Sequence, residues 1–217
     1  MHRGFESLPI RHPKMKSISL PLLAAALLAA GCSPKPSDEI DLGIGIGERV
    51  GEITADTTRD KLVELYGAEN VADTDYPIGE GEMVAASIIF PGTSREATVI
   101  WAPDKKNEKV DRVVITGEQW MLPAGIRPGD ELAEVEQING GQFMIYGFGW
   151  DYGGVGYFKG GQLDRKVQIW FRPAIEEGPD YEKVLGDSLF NSADAAMRAV
   201  DPRITEVAIV LGARNLN

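Results

Sequence analysis

Histidine and cysteine are almost absent from this sequence. Its 217 residues hold two histidines, His2 and His12, and one cysteine, Cys32. Everything after Cys32 lacks both residue types. That stretch therefore has no imidazole base, no thiolate nucleophile and no zinc site of the usual kind, and the chain cannot close an internal disulfide. No G-x-S-x-G or S-x-x-K run occurs either. Positive charge is scarce: 22 lysines and arginines stand against 33 acids, a net −11. Residues 1–31 carry Arg3, Arg11, Lys14 and Lys16 against Glu6, which leaves −14 on the remainder. Such a domain repels nucleic acid, which rewards a basic face. With so many acids, some pair meets any glycosidase carboxylate spacing by accident, so spacing alone assigns no hydrolase. The sequence is 43% hydrophobic and 25% charged, ordinary values for a chain that buries a core.

Long hydrophobic runs are also rare, and the one present is informative. Residues 15–32 read MKSISLPLLAAALLAAGC. Lys16 supplies a positive start, and Ile18 to Ala30 is nearly continuous in apolar character. At 1.5 Å per residue this stretch spans about 20 Å, short of the roughly 30 Å hydrocarbon core, so it reads as a signal-peptide h-region. Ala29-Ala30-Gly31 before Cys32 resembles a bacterial lipobox, although Ala29 stands where that family usually has leucine. The resemblance implies cleavage before Cys32 and its lipidation, and Met15 then makes a compact start, with residues 1–14 an upstream extension. Ser33 follows the cysteine and no aspartate does, which by likeness to diderm lipoproteins implies the outer membrane, facing the periplasm. Residues 32–39 are expected to form a lipidated cysteine and an extended tether, because Pro34 and Pro36 among small polar residues oppose helix and sheet.

From Ile40 the pattern is α+β. Thr57 to Tyr66 carries a capping-type Thr57/Asp60 pair, apolar Leu62, Leu65 and Tyr66, and the stop residue Gly67. Ala86–Phe90, Ala97–Trp101 and Arg112–Thr116 read as antiparallel strands. The order then recurs. Asp130 to Asn139 is a second helix ending at Gly140, with strands expected over Phe143–Trp150, Val155–Phe158, Val167–Phe171 and Ile204–Leu211, and a helix over Ser192–Val200. Placing Ile53 on Ile126 brings Leu62 onto Val135, Leu65 onto Ile138 and Gly67 onto Gly140. Val99-Ile100-Trp101 matches Gln168-Ile169-Trp170, and Val113-Val114-Ile115 matches Val207-Ala208-Ile209. The expectation is two tandem units, 40–118 and 119–217, each a short helix packed on an antiparallel meander. This arrangement resembles the small outer-membrane lipoprotein of the β-barrel assembly machinery and the secreted β-lactamase inhibitor proteins, over roughly Ile53–Thr116 and Ile126–Leu211. Asp56 stands where the second copy has Gly129, and the inhibitor family's disulfides are absent. The resemblance bears on architecture; activity does not travel with a fold.

Candidate sites are few. Gly43-Ile-Gly45-Ile-Gly47 and Gly153-Gly154-Val-Gly156 are not followed by helices that would offer amides to a pyrophosphate, so they read as close-packed strands and no cofactor is expected. Asp73, Asp75, Glu80 and Glu82 are the weak Ca²⁺ candidates. Pro77 and Ile78 occupy the positions where an EF-hand-type loop needs an oxygen ligand and a glycine, and a solvated acidic loop is the plainer reading. The densest aromatic stretch runs from Phe143 to Phe158. Period two puts Tyr146, Phe148 and Trp150 on one strand face, flanked by Asp151 and Tyr152. As a core layer these rings support the second helix; as a surface they form a partner-binding patch. The functional expectation is a membrane-anchored, non-enzymatic module that binds another envelope protein through Tyr146, Phe148, Trp150, Asp151 and Tyr152. The alternative is a cell-wall glycan-binding protein, or a carboxylate-dependent glycoside hydrolase, using Trp150 with Asp151.

Overall fold

The computed structural model describes residues 40–123, 125–163 and 167–211. The signal segment, Cys32 and the tether lie outside the described residues. Three two-residue strands, β1 (Ile44–Gly45), β2 (Arg49–Val50) and β3 (Ile53–Thr54), open the folded part as a small antiparallel sheet. Helix α1 (Arg59–Tyr66) follows. Its cap is Thr58, whose hydroxyl accepts the Lys61 N–H at 3.2 Å, while the Thr57 hydroxyl accepts the Thr54 N–H at 2.9 Å. The capping pair therefore sits one residue later than Thr57/Asp60, because Thr57 is used in the turn before the helix.

Four strands then run as an antiparallel meander: β4 (Val71–Gly79), β5 (Glu82–Ile89), β6 (Ala97–Trp101) and β7 (Val110–Ile115). Helix α2 (Leu132–Asn139) is closed at its start by a reciprocal Glu131/Glu134 capping box. After it come β8 (Met144–Tyr146), β9 (Gly156–Tyr157), β10 (Gln168–Pro173), α3 (Pro179–Lys183), β11 (Leu189–Asn191), α4 (Ala195–Ala199) and β12 (Pro202–Val210). The fold is α+β, as the helix and strand periodicities indicate. Among the described residues no helix is long and apolar enough to cross a membrane.

Both halves of the chain feed one curled six-stranded sheet, in the order β10-β12-β7-β6-β5-β4, while β11-β8-β9 form a separate sheet. A bridge between Val155 and Trp170 links the two. The central β7–β12 pairing is locally symmetric: Val114 faces Ala208, Val113 faces Ile209 and Ile115 faces Val207. The flanking strands follow the same symmetry. Val99 faces Val113 on one side and Ile169 faces Val207 on the other, and each outer pair is interrupted by a bulge, at Ile100/Trp101 and at Trp170/Phe171. Register thus matches Val99 to Ile169 and Trp101 to Phe171, one residue off the alignment read from residue similarity. Burial explains the shift: Trp101 and Phe171 both enter the main core, whereas Trp170 lies on the opposite face with Ile100.

The main core packs Leu62 and Tyr66 of α1, Leu132 and Val135 of α2 and Met197 of α4 against Val99, Trp101, Val113, Ile115, Ile169, Phe171, Val207 and Ile209. The other face of the sheet carries a smaller cluster, Ala86, Ile100, Val114 and Ala208, covered by Tyr76, Val84 and Trp170. Tyr76 on β4 donates its hydroxyl to Glu206 on β12 at 2.7 Å. Along the sheet these strands are four steps apart, about 19 Å at the usual strand spacing. Two side chains meet across that arc only because the sheet curls over its small-residue face, and Ala86 and Ala208 leave room for the curl.

Candidate partner-binding surface

The aromatic stretch does not continue as one strand from Phe143 to Trp150. Strand β8 stops at Tyr146, and residues 147–154 form a turn pinned by backbone bonds. Phe148 donates its N–H to Val184 O at 2.8 Å and accepts from the Gly186 N–H at 2.9 Å, so it pairs with the chain leaving α3. This rotates its ring inward. Phe148 is 4% exposed and stacks with Tyr181 at 6.5 Å, so it belongs to the core and not to a surface shared with Tyr146 and Trp150. Period-two reasoning failed here because the extended backbone it assumes ends two residues earlier.

Gly154 closes the turn. Its N–H donates to Tyr146 O at 3.0 Å, and its carbonyl accepts the Phe171 N–H at 2.8 Å. A Cβ at this position would lie 2.0 Å from Phe171 O, and φ is +79°. Only glycine meets both conditions. The glycines of this stretch thus permit close backbone approach, with Tyr146 and Trp150 half-buried and Tyr152 exposed around the turn.

Those rings form a ladder. Trp150 meets Tyr146 edge-on at 5.6 Å and Tyr152 edge-on at 5.3 Å. The indole N–H donates to Gly147 O at 2.8 Å, which fixes the plane of the tryptophan. Each edge-to-face pair contributes about 0.5–1.5 kcal/mol beyond buried area, enough to hold Tyr152 in place although it is 43% exposed. Beside the ladder, strand register puts Leu189 opposite Tyr146 and Tyr157 opposite Met144. Leu189 and Tyr157 are both exposed.

The other border is the β4–β5 hairpin tip. The Glu80 N–H donates to Asp151 Oδ2 at 3.1 Å, and the Tyr152 hydroxyl lies so close to Gly79 that a Cβ there would be 3.2 Å from it. Ile78 and Met83 of the same hairpin are exposed. Tyr146, Trp150, Asp151 and Tyr152 therefore come together, with exposed Tyr157 and Leu189 on the strands flanking β8 and the hairpin that carries exposed Ile78 and Met83 at the border. Tyr157 lay within the aromatic stretch. The hairpin residues gave no signal, because Asp73, Asp75 and Pro77 disguise β4 as an acidic loop.

That reading of residues 73–82 is corrected by the strand pairing. Asp73 faces Ser87 and Asp75 faces Ala85 along the hairpin, with Glu82 opposite Gly79. Asp73 accepts from Arg59 Nε at 2.9 Å and from the Ser87 hydroxyl at 3.1 Å, and the Arg59 hydrogen bond holds its carboxyl below the usual range. Asp73 and Asp75 lie on β4, Glu80 in the hairpin turn and Glu82 on β5, and among the described residues no three such ligands gather. Elsewhere, a groove of about 720 Å³ is lined by Glu118, Arg127, Asp130, Glu131, Glu134 and Arg203. Its charges are largely spent on each other, Arg127 with Asp130 and Arg203 with Glu131.

No protein-family model matches the chain. No curated protein matches it in sequence. Among solved structures it is similar to the uncharacterised protein YfeY of Escherichia coli, at 10% identity and a TM-score of 0.43, over 76% of this chain and 95% of that one.

Proposed function

We propose that this chain is a lipoprotein of the cell envelope, held by acyl chains on Cys32 at the outer membrane and facing the periplasm, which binds another envelope protein through the Tyr146–Trp150–Tyr152 surface and performs no chemistry of its own. The observation that carries the reading is the ladder itself: large rings held rigid by edge contacts and by the Trp150–Gly147 bond, with Tyr146 and Trp150 half-buried and Tyr152 exposed, near exposed Ile78, Met83, Tyr157 and Leu189. Pre-ordered Tyr and Trp anchor interfaces well because a large contact area is immobilised at little rotamer cost. Anchoring at a membrane surface raises the effective concentration of such a module, so modest affinity suffices. The glycan reading loses support from the same geometry, because Asp151 is turned to the Glu80 amide and does not stand with Trp150 over an open cleft.

The test is photo-crosslinking in native envelopes, with a photoreactive residue in place of Tyr152 or Tyr157 and, as control, of the exposed Glu108. A discrete protein captured from 152 and 157 but not from 108 supports the reading. Capture of no protein, together with glycan retention that Trp150→Ala abolishes, overturns it in favour of the sugar-binding alternative. Intact mass from the same envelopes reports on the anchor: a triacylated Cys32 at the N-terminus is expected, and a product starting elsewhere refutes it.

A further inference from the structure

Next to the aromatic ladder lies a slot of about 430 Å³ whose lining includes Phe148, Phe171, Trp150 and Tyr181, with Arg172 and Glu176 among its charged members. That volume suits one or two residues of a bound chain. Phe148 and Phe171 are core side chains, so the floor is rigid. Trp150 is fixed through its N–H and Tyr181 is stacked on Phe148, so the walls are set before anything binds.

The charge inside this slot is anomalous for so acidic a chain. Arg49, Arg59, Arg112, Arg127, Arg198 and Arg203 each have a carboxylate partner. Arg95 lies over the Phe90 ring at 4.6 Å. Among the described residues Arg172 has neither a carboxylate nor a ring. It is carried on β10, opposite Arg203 in the strand register, and is exposed. An unpaired guanidinium beside aromatic walls is a planar two-pronged donor for a carboxylate.

We propose that this slot takes the C-terminal residue of a partner protein, its large apolar side chain between Trp150 and Tyr181 and its terminal carboxylate on Arg172. A chain end is the occupant that carries a carboxylate and a large apolar side chain on the same residue. Asp and Glu side chains bring the charge without the apolar group, and an internal apolar residue brings the reverse. Glu176 supplies an acceptor for a peptide N–H of the arriving chain. The overall negative charge slows the approach of an acidic partner, but at physiological salt that repulsion fades beyond about 8 Å, whereas the Arg172 contact acts at short range. This proposal rests on the protein-binding reading and specifies the end of the partner that is recognised.

The experiment is calorimetric titration of the detergent-purified full chain with a neutral ten-residue peptide ending in phenylalanine, as the free acid and as the amide. The free acid is expected to bind at least tenfold more tightly than the amide. Arg172→Gln, a change at an exposed side chain, is expected to remove that difference without altering the weaker affinity for the amide. Equal binding of acid and amide, a preference that survives Arg172→Gln, or binding of neither peptide overturns the proposal. Crosslinking from Tyr157 separates the two readings: a protein captured there while the peptides fail leaves the surface reading standing and removes only the chain-end assignment.

Discussion

Replacing Gly154 by alanine isolates the steric constraint that shapes the aromatic turn. Two terms oppose a methyl group there. One is conformational, since φ is +79°; the other is contact, since the new Cβ would lie 2.0 Å from Phe171 O and 3.2 Å from the Phe148 ring. Gly47 separates them. Its φ is +80° and nothing lies within 4 Å of its Cβ position, so Gly47→Ala carries the conformational term alone, about 1–2 kcal/mol. Gly154→Ala carries the same term plus a clash with backbone that cannot rotate away, about 1–3 kcal/mol more by the measure of overpacked cores. The expected losses are therefore about 1–2 kcal/mol for Gly47→Ala and about 2–5 kcal/mol for Gly154→Ala. Urea denaturation followed by far-ultraviolet circular dichroism measures both. If the turn yields locally before the whole fold does, hydrogen exchange at the Gly154 and Phe171 amides rises well below the global midpoint. Equal midpoints for the two variants, with unchanged exchange at those amides, would refute the argument that backbone proximity at Gly154 holds the rings in place.

Tyr76→Phe removes the hydroxyl that reaches Glu206 across the curled sheet, and a loss of about 0.5–1.5 kcal/mol is expected, together with faster amide exchange in the β4–β5 hairpin; unchanged exchange would mean that the bond does not hold the curl. Burial pushes the Tyr66 phenol up to about 12 from 10.0. Above pH 10 the unfolded chain loses the Tyr66 proton while the folded chain keeps it, so stability falls with rising pH by up to about 1.4 kcal/mol per unit until the folded phenol titrates. Tyr66→Phe is expected to flatten the stability profile between pH 10 and 12, and an equally steep profile in that variant refutes the assignment. Arg198→Ala breaks the pair with Glu136, which also accepts from the buried Ser192 hydroxyl. With Arg198 about a third exposed, a loss of about 1–2 kcal/mol is expected in thermal or urea unfolding, and no change would show that Ser192 alone satisfies the carboxylate. Thr58→Ala removes the α1 cap at a cost of about 1 kcal/mol, whereas Thr57→Ala should leave helix content unchanged, and the reverse order would restore the cap to Thr57.

Local chemistry determined helices α1 and α2 and the inner strands. Ala97–Trp101 is a strand from end to end, because a run of β-branched and aromatic residues bounded by turn residues has one good local solution, and it is buried along its whole length. Helices α1 and α2 carry their own caps, apolar faces and stop glycines, so sequence periodicity alone locates them within two residues. The scarcity of histidine and cysteine is likewise a property of the sequence itself, and no folding alters the chemistry it removes.

What only the tertiary structure decided were the places where partners distant in sequence override a local preference. Strand β4 looks like an acidic loop because its side chains are mostly exposed. It is a strand because β5 supplies its backbone partners, while Arg59 pairs with the Asp73 carboxylate and the Ser87 hydroxyl donates to it. The one-residue shift between Trp101 and Trp170 follows from which residue the packed sheet buries, Trp101 and Phe171 in the main core and Trp170 on the opposite face, a choice made by neighbouring elements that leaves no mark in either segment. The aromatic stretch divided into core and surface for the same reason. Phe148 turned inward because Val184 and Gly186 captured its backbone, and Tyr152 stayed outside because the hairpin tip, some seventy residues earlier in the chain, met it there. Side-chain identity set which rings were available. Hydrogen bonds between segments far apart in sequence set which way each ring faces.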